Sequence, residues 1–232
     1  MATRKLTETE RRSLGLETIV LFGVTGAIFT CMTLGLWTFH LLSLDTLLGM
    51  PNNWPWYLSR STALVAYLML TGSVVWGLIL STKIVREVTP PPLAMSIHNF
   101  ISWLALTFAG VHAYLLLFDR YYTYRLRDIM VPFIGPYKPL AVGLGVGAFW
   151  IFLAASASFS VKKQIGQFLW RAIHLMTFPG FLLLTLHGLL AGTDSSNPGM
   201  TLIYVACGGL VTFLTLFRLL SLGTRTQPVR AS

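Results

Sequence analysis

The sequence predicts an all-α integral membrane protein, a bundle of six helices. Three observations carry that prediction: an apolar composition, six apolar runs of membrane-crossing length, and four histidines at nearly matching depths in two of those runs. Hydrophobic residues make up 54% of the 232 positions and charged residues only 11%. Mean hydropathy is +0.68, which a soluble domain with a solvated surface rarely reaches. The runs fall near 16 to 42, 62 to 82, 94 to 118, 139 to 159, 172 to 191 and 200 to 222, each about the 20 residues a helix needs to cross. The expected layout is a tail over 1–15, one membrane domain over 16–222 and a tail over 223–232. The remainder is too short for a soluble nucleotide-binding domain.

The net charge of +9 does not point to nucleic acid, because the basic residues are spread over loops and tails rather than gathered in one aromatic-interleaved patch. It predicts orientation instead. With six spans, one side carries Arg4, Lys5, Arg11, Arg12, Lys83, Arg86, Lys162, Lys163, Arg171, Arg218, Arg225 and Arg230. The other carries Arg60, Arg120, Arg125, Arg127 and Lys138. Twelve against five puts both termini in the cytoplasm of a cell membrane by the positive-inside rule.

Span one carries Glu17 and Cys31 and ends in Trp37 and His40 without a small-residue cleavage site, so it reads as a retained helix rather than a signal peptide. His40, alone beside Trp37, reads as an interfacial residue. Span two opens with Trp56-Tyr57-Leu58-Ser59-Arg60 on the outer side. Span three holds His98 and His112, 14 residues apart, and span five holds His174 and His187, 13 apart. At 1.5 Å per residue each pair is separated by about 20 Å along its helix, near opposite edges of a hydrocarbon core roughly 30 Å thick.

Both spans are odd-numbered and therefore parallel. His98 with His174, on the cytoplasmic side, and His112 with His187, on the outer side, are the pairings matched in depth. Imidazole is costly in hydrocarbon and binds metal through a neutral ring nitrogen, so the four suggest ligation more than packing. One such histidine alone is readily explained by a hydrogen bond to a neighbouring helix. Four in register are not. Two histidines per iron give a six-coordinate haem suited to passing electrons. No Cys-x-x-Cys-His sequence occurs, so two non-covalent, b-type haems are expected, stacked between helices three and five.

Helix phase adds a condition. Fourteen residues return His112 to within about 40° of His98, but thirteen leave His187 about 140° from His174 on a straight helix. Pro179-Gly180 lies between them, and a distortion is expected there.

The segments His98-Asn99-Phe100 with His112, and Trp170-Arg171-Ala172-Ile173-His174 with His187, resemble the ferric reductase-like transmembrane domain. That domain is shared by NADPH oxidases, ferric reductases and the haem subunit of the periplasmic methionine sulfoxide reductase system. The resemblance covers about spans one to six. It implies that the four histidines are haem ligands and that electrons enter at the inner haem and leave at the outer one. The chain lacks the C-terminal flavin and nicotinamide domain of the oxidases, which leaves the donor open: a donor protein, a quinol, or a flavin supplied through a partner. Leu175-Met176-Thr177-Phe178 also lacks the basic residue and tyrosine often found after that ligand.

Haem propionates need cationic partners near each face, and Arg171, three residues before His174, and Arg60 are the candidates for the inner and outer haem. Interfacial anchoring beside tryptophans explains both arginines equally well. Gly143-Leu144-Gly145-Val146-Gly147 in span four lacks the strand of a dinucleotide site and reads as close packing against a helix or porphyrin. Phe178 and Phe181 fall between the two histidines of span five and read first as core. Cys31 and Cys207 sit in mid-span as small apolar residues.

The long connection Asp119 to Lys138 is amphipathic. It is expected to lie along the outer interface, to cover the outer haem and to meet an acceptor. Gly192 to Gly199 is a turn-rich outer loop; Thr193 or Asp194 reads first as a turn residue and second as a cap or hydrogen-bond partner near the outer haem. Three functional classes follow: a dihaem oxidoreductase component passing electrons to ferric chelate, oxygen or a periplasmic partner; the haem subunit of a methionine sulfoxide reductase system; or a structural subunit of a larger membrane complex.

Overall fold

The computed structural model describes residues 27, 30–38, 49, 53–82 and 90–223. Among these, every regular element is a helix. The order is α1 Trp54–Thr82, α2 Pro91–Leu115 with a 3-10 turn Leu116–Phe118, α3 Leu126–Met130, α4 Pro139–Ser160, α5 Lys162–Leu175, α6 Thr177–Ala191 and α7 Pro198–Gly223. Five stretches among the described residues are long and apolar enough to cross a membrane: Trp54–Ser81, Pro91–Phe118, Pro139–Ser160, Lys162–Ala191 and Pro198–Ser221. The chain is thus a multi-pass membrane protein, all-helical among the described residues. The outer faces agree, since Leu140 is 76% exposed, Leu202 67% and Leu220 74%, a cost in water but not in lipid.

Most of the first expected span, His40, Lys83, Arg86, the N-terminal tail and residues 224–232 lie outside the described residues. Residues 30–38 of that span are helical. Met32 and Leu36 pack there against Trp54, Val111 and Leu115.

Helix starts are set by residues that need no donor. Pro91 and Pro92 open α2 and Pro139 opens α4, where the first amide would be unpaired in any case. Two elements differ from the hydropathy reading. Helix α1 begins at Trp54, eight residues before the apolar run at 62, because the Asn53 carbonyl already accepts the amides of Trp56 and Tyr57. Arg60 therefore lies within the helix rather than at its threshold. The stretch before residue 172 is helical from Lys162, with only Val161 between α4 and α5. Its lysines and glutamines hide it from a hydropathy window, yet they suit a helix at a membrane surface. Gly166, at φ +80°, breaks this helix.

Span five is two helices. The interruption falls at Met176, three residues before Pro179. Proline removes the amide that would reach the carbonyl four residues back, and its ring crowds that carbonyl, which here belongs to Leu175. The chain responds by tightening: the Met176 amide donates to Ile173 O at 3.1 Å, and Thr177 Oγ1 donates to His174 O at 2.7 Å. Gly180 N then donates to Met176 O at 2.9 Å and the helix resumes. The expected distortion between His174 and His187 is present, placed where the lost acceptor is rather than at the proline itself.

Helices α1 and α2 pack closely along their lengths, as do α4 and α6, and α7 lies against α1. The buried centre contains Tyr67, Leu70, Ala105, Leu106, Phe152, Phe181 and Val211. Ala105 is midway in sequence between the histidines of α2, and Phe181 lies between those of α5 and α6. A largely apolar layer therefore lies between the two ends of the bundle.

Candidate functional site: two facing histidine pairs

The structure brings the four histidines together two by two. The ring centres of His98 and His174 are 6.2 Å apart, and those of His112 and His187 are 6.3 Å apart, at interplanar angles of 71° and 66°. His112 and His187 lie at the end of the bundle that carries the 119–138 connection, here the loop end. His98 and His174 lie at the far end. Two imidazoles joined through one metal ion have ring centres about 6.3 Å apart, because each metal–nitrogen bond is roughly 2.0–2.1 Å and each nitrogen lies about 1.1 Å from its ring centre. Direct ring stacking would be closer, at centroid distances down to about 4.5 Å.

The loop-end pair is held by backbone. His187 Nδ1 is 2.8 Å from Ala141 O, and His112 Nδ1 is 2.9 Å from Ser59 O and 2.9 Å from Ser59 Oγ. A carbonyl only accepts, so in both rings Nδ1 carries the proton and Nε2 keeps its lone pair. That is the tautomer of a histidine ligand steered by its outer hydrogen bond. Ser59 Oγ also donates to His112 O at 3.2 Å.

The same logic reaches His98 through two hydroxyls. Ser102 Oγ donates to His98 O at 2.8 Å, so Ser102 accepts from Ser73 Oγ at 2.6 Å, and Ser73 is left to accept from His98 Nδ1 at 3.4 Å. The last contact is long and weak. Among the described residues no hydrogen bond holds the His174 ring. Trp170, one turn earlier, stacks on it at 5.4 Å and 20°. Lys162 Nζ lies 3.8 Å from the centre of the same Trp170 ring. Trp170 Nε1 is itself buried and has no hydrogen-bond partner among the described residues.

Two glycines make room for the rings. A Cβ at Gly145 would fall 2.6 Å from His187 Nδ1, and one at Gly77 would fall 3.2 Å from His98 Cε1. The glycine run of α4 is thus a close-packing surface for a histidine ring, and its neighbour Gly143 is covered by Phe133.

A cavity of about 1430 Å³ opens beside the loop-end pair, lined by His112 and His187, by Tyr67 and Phe152 at its floor, and by Arg60 and Asp194 toward its mouth. Arg60 Nε donates to Asp194 Oδ2 at 2.7 Å and its NH1 to Thr193 Oγ1, while the guanidinium lies 4.8 Å over Trp56. Arg60 therefore ties α1 to the turn between α6 and α7. Arg171 is exposed on α5. The connection 119–138 closes the cavity from one side, with Tyr124, Leu126 and Tyr137 among the lining residues. Burial first, and the Asp119 carboxylate next, push the Tyr124 hydroxyl up to about 12, so it stays protonated at neutral pH. Phe181 stacks on Tyr67 at 5.9 Å and is core, as is usual for a mid-span phenylalanine. Cys31 and Cys207 are free thiols.

Sequence reasoning missed Ser59, Ser73, Gly77 and the Ala141 carbonyl. Ser73 and Gly77 are four apart, the small-residue spacing that lets membrane helices approach, and that signal was available. A backbone carbonyl leaves none. Among the described residues no cluster of three or more His, Cys, Asp or Glu side chains forms a metal cage.

No curated protein and no solved structure matches the chain. The family model described as a domain of unknown function, DUF8596, matches residues 55–194, a stretch that includes all four paired histidines, Arg60 and Arg171, and the chain belongs to that family.

Proposed function

We propose that the chain is a six-span, dihaem b-type cytochrome that carries electrons across a membrane. The donor, a protein or a membrane quinol, acts at the far end, and the acceptor, on the outer face, acts at the loop end. The observation that carries this reading is the pair of histidine couples at metal-bridging separation, one between α2 and α5 and the other between α2 and α6. A bare ion held by two imidazoles would be weakly bound. A porphyrin would supply the further nitrogen donors, with His98 and His174 holding one such group and His112 and His187 the other.

The residues present fit that group. Three of the four rings have Nδ1 committed to a protein acceptor, which leaves Nε2 as the ligating atom. Gly77 and Gly145 form cradles that a Cβ would fill. The unpaired Trp170 Nε1 is a donor without an acceptor next to the far-end pair, as expected beside an absent polar group. A haem bound between each pair supplies an iron that gains and loses one electron at a time. The protein's own part is to fix the imidazoles, to exclude water and to set the potential through hydrogen bonding and burial. Arg60, at the mouth of the cavity, offers a cation to a propionate, and Arg171 offers one at the other end. The largely apolar layer of Tyr67, Phe152 and Phe181 would lie between the two centres.

A reduced-minus-oxidised spectrum of the purified protein tests the proposal. A b-type alpha band is expected. Its absence from protein produced with ample haem would leave a structural role in a larger complex as the better reading. A narrower role, as the haem subunit of a methionine sulfoxide reductase system, rests on the sequence resemblance alone and is separated by whether a soluble reductase co-purifies.

A further inference from the structure

The connection between α2 and α4 presents an apolar surface that the histidine pairs do not explain. Leu126 is 61% exposed, Met130 44%, Val131 46%, Phe133 52% and Ile134 48%, all within nine residues. In an aqueous loop such a run would be an aggregation hazard. Its contacts put it elsewhere. Trp150 Nε1, on α4, donates to Met130 O at 2.9 Å. Trp150 lies eleven residues beyond Pro139, hence about 16 Å down the helix axis. Even if the indole leans back a full turn of about 5.4 Å toward the helix start, the Met130 carbonyl sits about 10 Å below the end of α4. Helix α4 has 22 residues and so is about as long as the hydrocarbon core is thick. A point about 10 Å below its end is within the leaflet, whose half-thickness is about 15 Å.

The backbone of this segment is also seated for that depth. Phe133 lies against Gly143, where a Cβ would fall 2.6 Å from the Phe133 amide nitrogen. Phe133 adopts φ +71°, a left-handed conformation rare for a bulky side chain, and keeps it because its ring covers the glycine. Irregular backbone is tolerated at membrane depth only where protein covers it or a cavity adjoins it. Both conditions hold: α4 covers one side, and Leu126, Ile129 and Met130 line the cavity on the other. Arg127, with its side chain 67% exposed, and Tyr121, 75% exposed, stand at the approach to the segment and are typical interfacial anchors.

We infer that residues 129–134 form a re-entrant wedge inserted among the acyl chains of the leaflet at the loop end, with Arg127 and Asp128 at its interfacial edge, walling the cavity off from lipid. The occupant of the patch formed by Val131, Phe133 and Ile134, which do not line the cavity, is hydrocarbon rather than a soluble acceptor. This inference does not depend on haem.

The test is depth-dependent fluorescence quenching in phosphatidylcholine vesicles. The full chain carrying Cys31→Ala and Cys207→Ala receives a single added cysteine, Ile134→Cys, labelled with an environment-sensitive dye. Ser196→Cys, in the exposed turn between α6 and α7, is the aqueous reference. Nitroxide-labelled lipid is expected to quench the label at 134 several-fold more than iodide does, with the order reversed at 196. Adding Trp150→Phe, which removes the bond to Met130, is expected to move the label at 134 toward the surface. Iodide quenching at 134 equal to that at 196 would overturn the inference and make the patch a docking surface in water. If Ile134→Cys does not fold, Val131→Cys reports the same segment with the same two outcomes.

Discussion

The two ends of the bundle hold their histidine pairs at nearly the same separation, 6.2 and 6.3 Å, but by different means. At the loop end both rings are pinned to backbone carbonyls at 2.8 and 2.9 Å. At the far end one ring has a 3.4 Å contact to a serine, and the other, among the described residues, has a stacked indole and no hydrogen bond. Backbone acceptors do not rotate, so the loop-end site is fixed before anything binds. The far-end site leans on side chains and on helix α5, which is broken at Gly166 and largely exposed. In the proposed cytochrome this difference predicts an outer haem that resists perturbation and an inner one that responds to it.

The strongest way to break the comparison is Pro179→Ala. Restoring the missing amide is expected to straighten the chain through Met176 and to rotate His174 away from the phase it shares with His187. Loss of the far-end haem with retention of the loop-end one is the expected outcome, read as half the haem per chain and a single remaining potential. Next in size is Gly145→Leu, which drives a side chain into the His187 ring. Overpacking of this kind costs about 1–3 kcal/mol, and the expected spectrum lacks the loop-end haem alone.

A smaller effect separates the two serines. Outer hydrogen bonds to metal-bound histidines are worth about 10- to 100-fold in affinity. Ser59→Ala leaves His112 its carbonyl acceptor, so it falls at the bottom of that range or below it. Ser73→Ala leaves His98 with no acceptor, but the bond lost is long. Haem retention measured against apomyoglobin as a scavenger is expected to drop more for Ser73→Ala, and the reverse order would refute the contrast drawn between the ends. Smallest is Arg60→Ala, expected to shift the loop-end potential alone. Two unchanged potentials would reduce Arg60 to a latch on Asp194.

Much of this was open to reading in the sequence, and the reason differs by feature. The helices were legible because lipid permits few other structures, so apolar length translates into a span. Their limits were less so. Helix α1 starts early on an Asn53 carbonyl, and α5 is too polar to register as apolar. The four histidines were legible because titratable rings in hydrocarbon demand an explanation, and their spacing sets depth. The break at Met176 was half legible: Pro179 announces a distortion, but the lost acceptor four residues back decides where it falls. The partners of the rings were not legible, since Ser59, Ser73 and Ala141 reach them only through helix packing, and a backbone carbonyl has no sequence signature.

The central claim is best tested by haem stoichiometry on purified protein, with the wild-type chain beside His98→Ala and His112→Ala. Two haems per chain falling to one in each variant, with a different potential surviving in each, is the predicted result. No haem in the wild type, or a single variant that removes both centres while the protein remains folded, would contradict two independent sites held by facing histidine pairs.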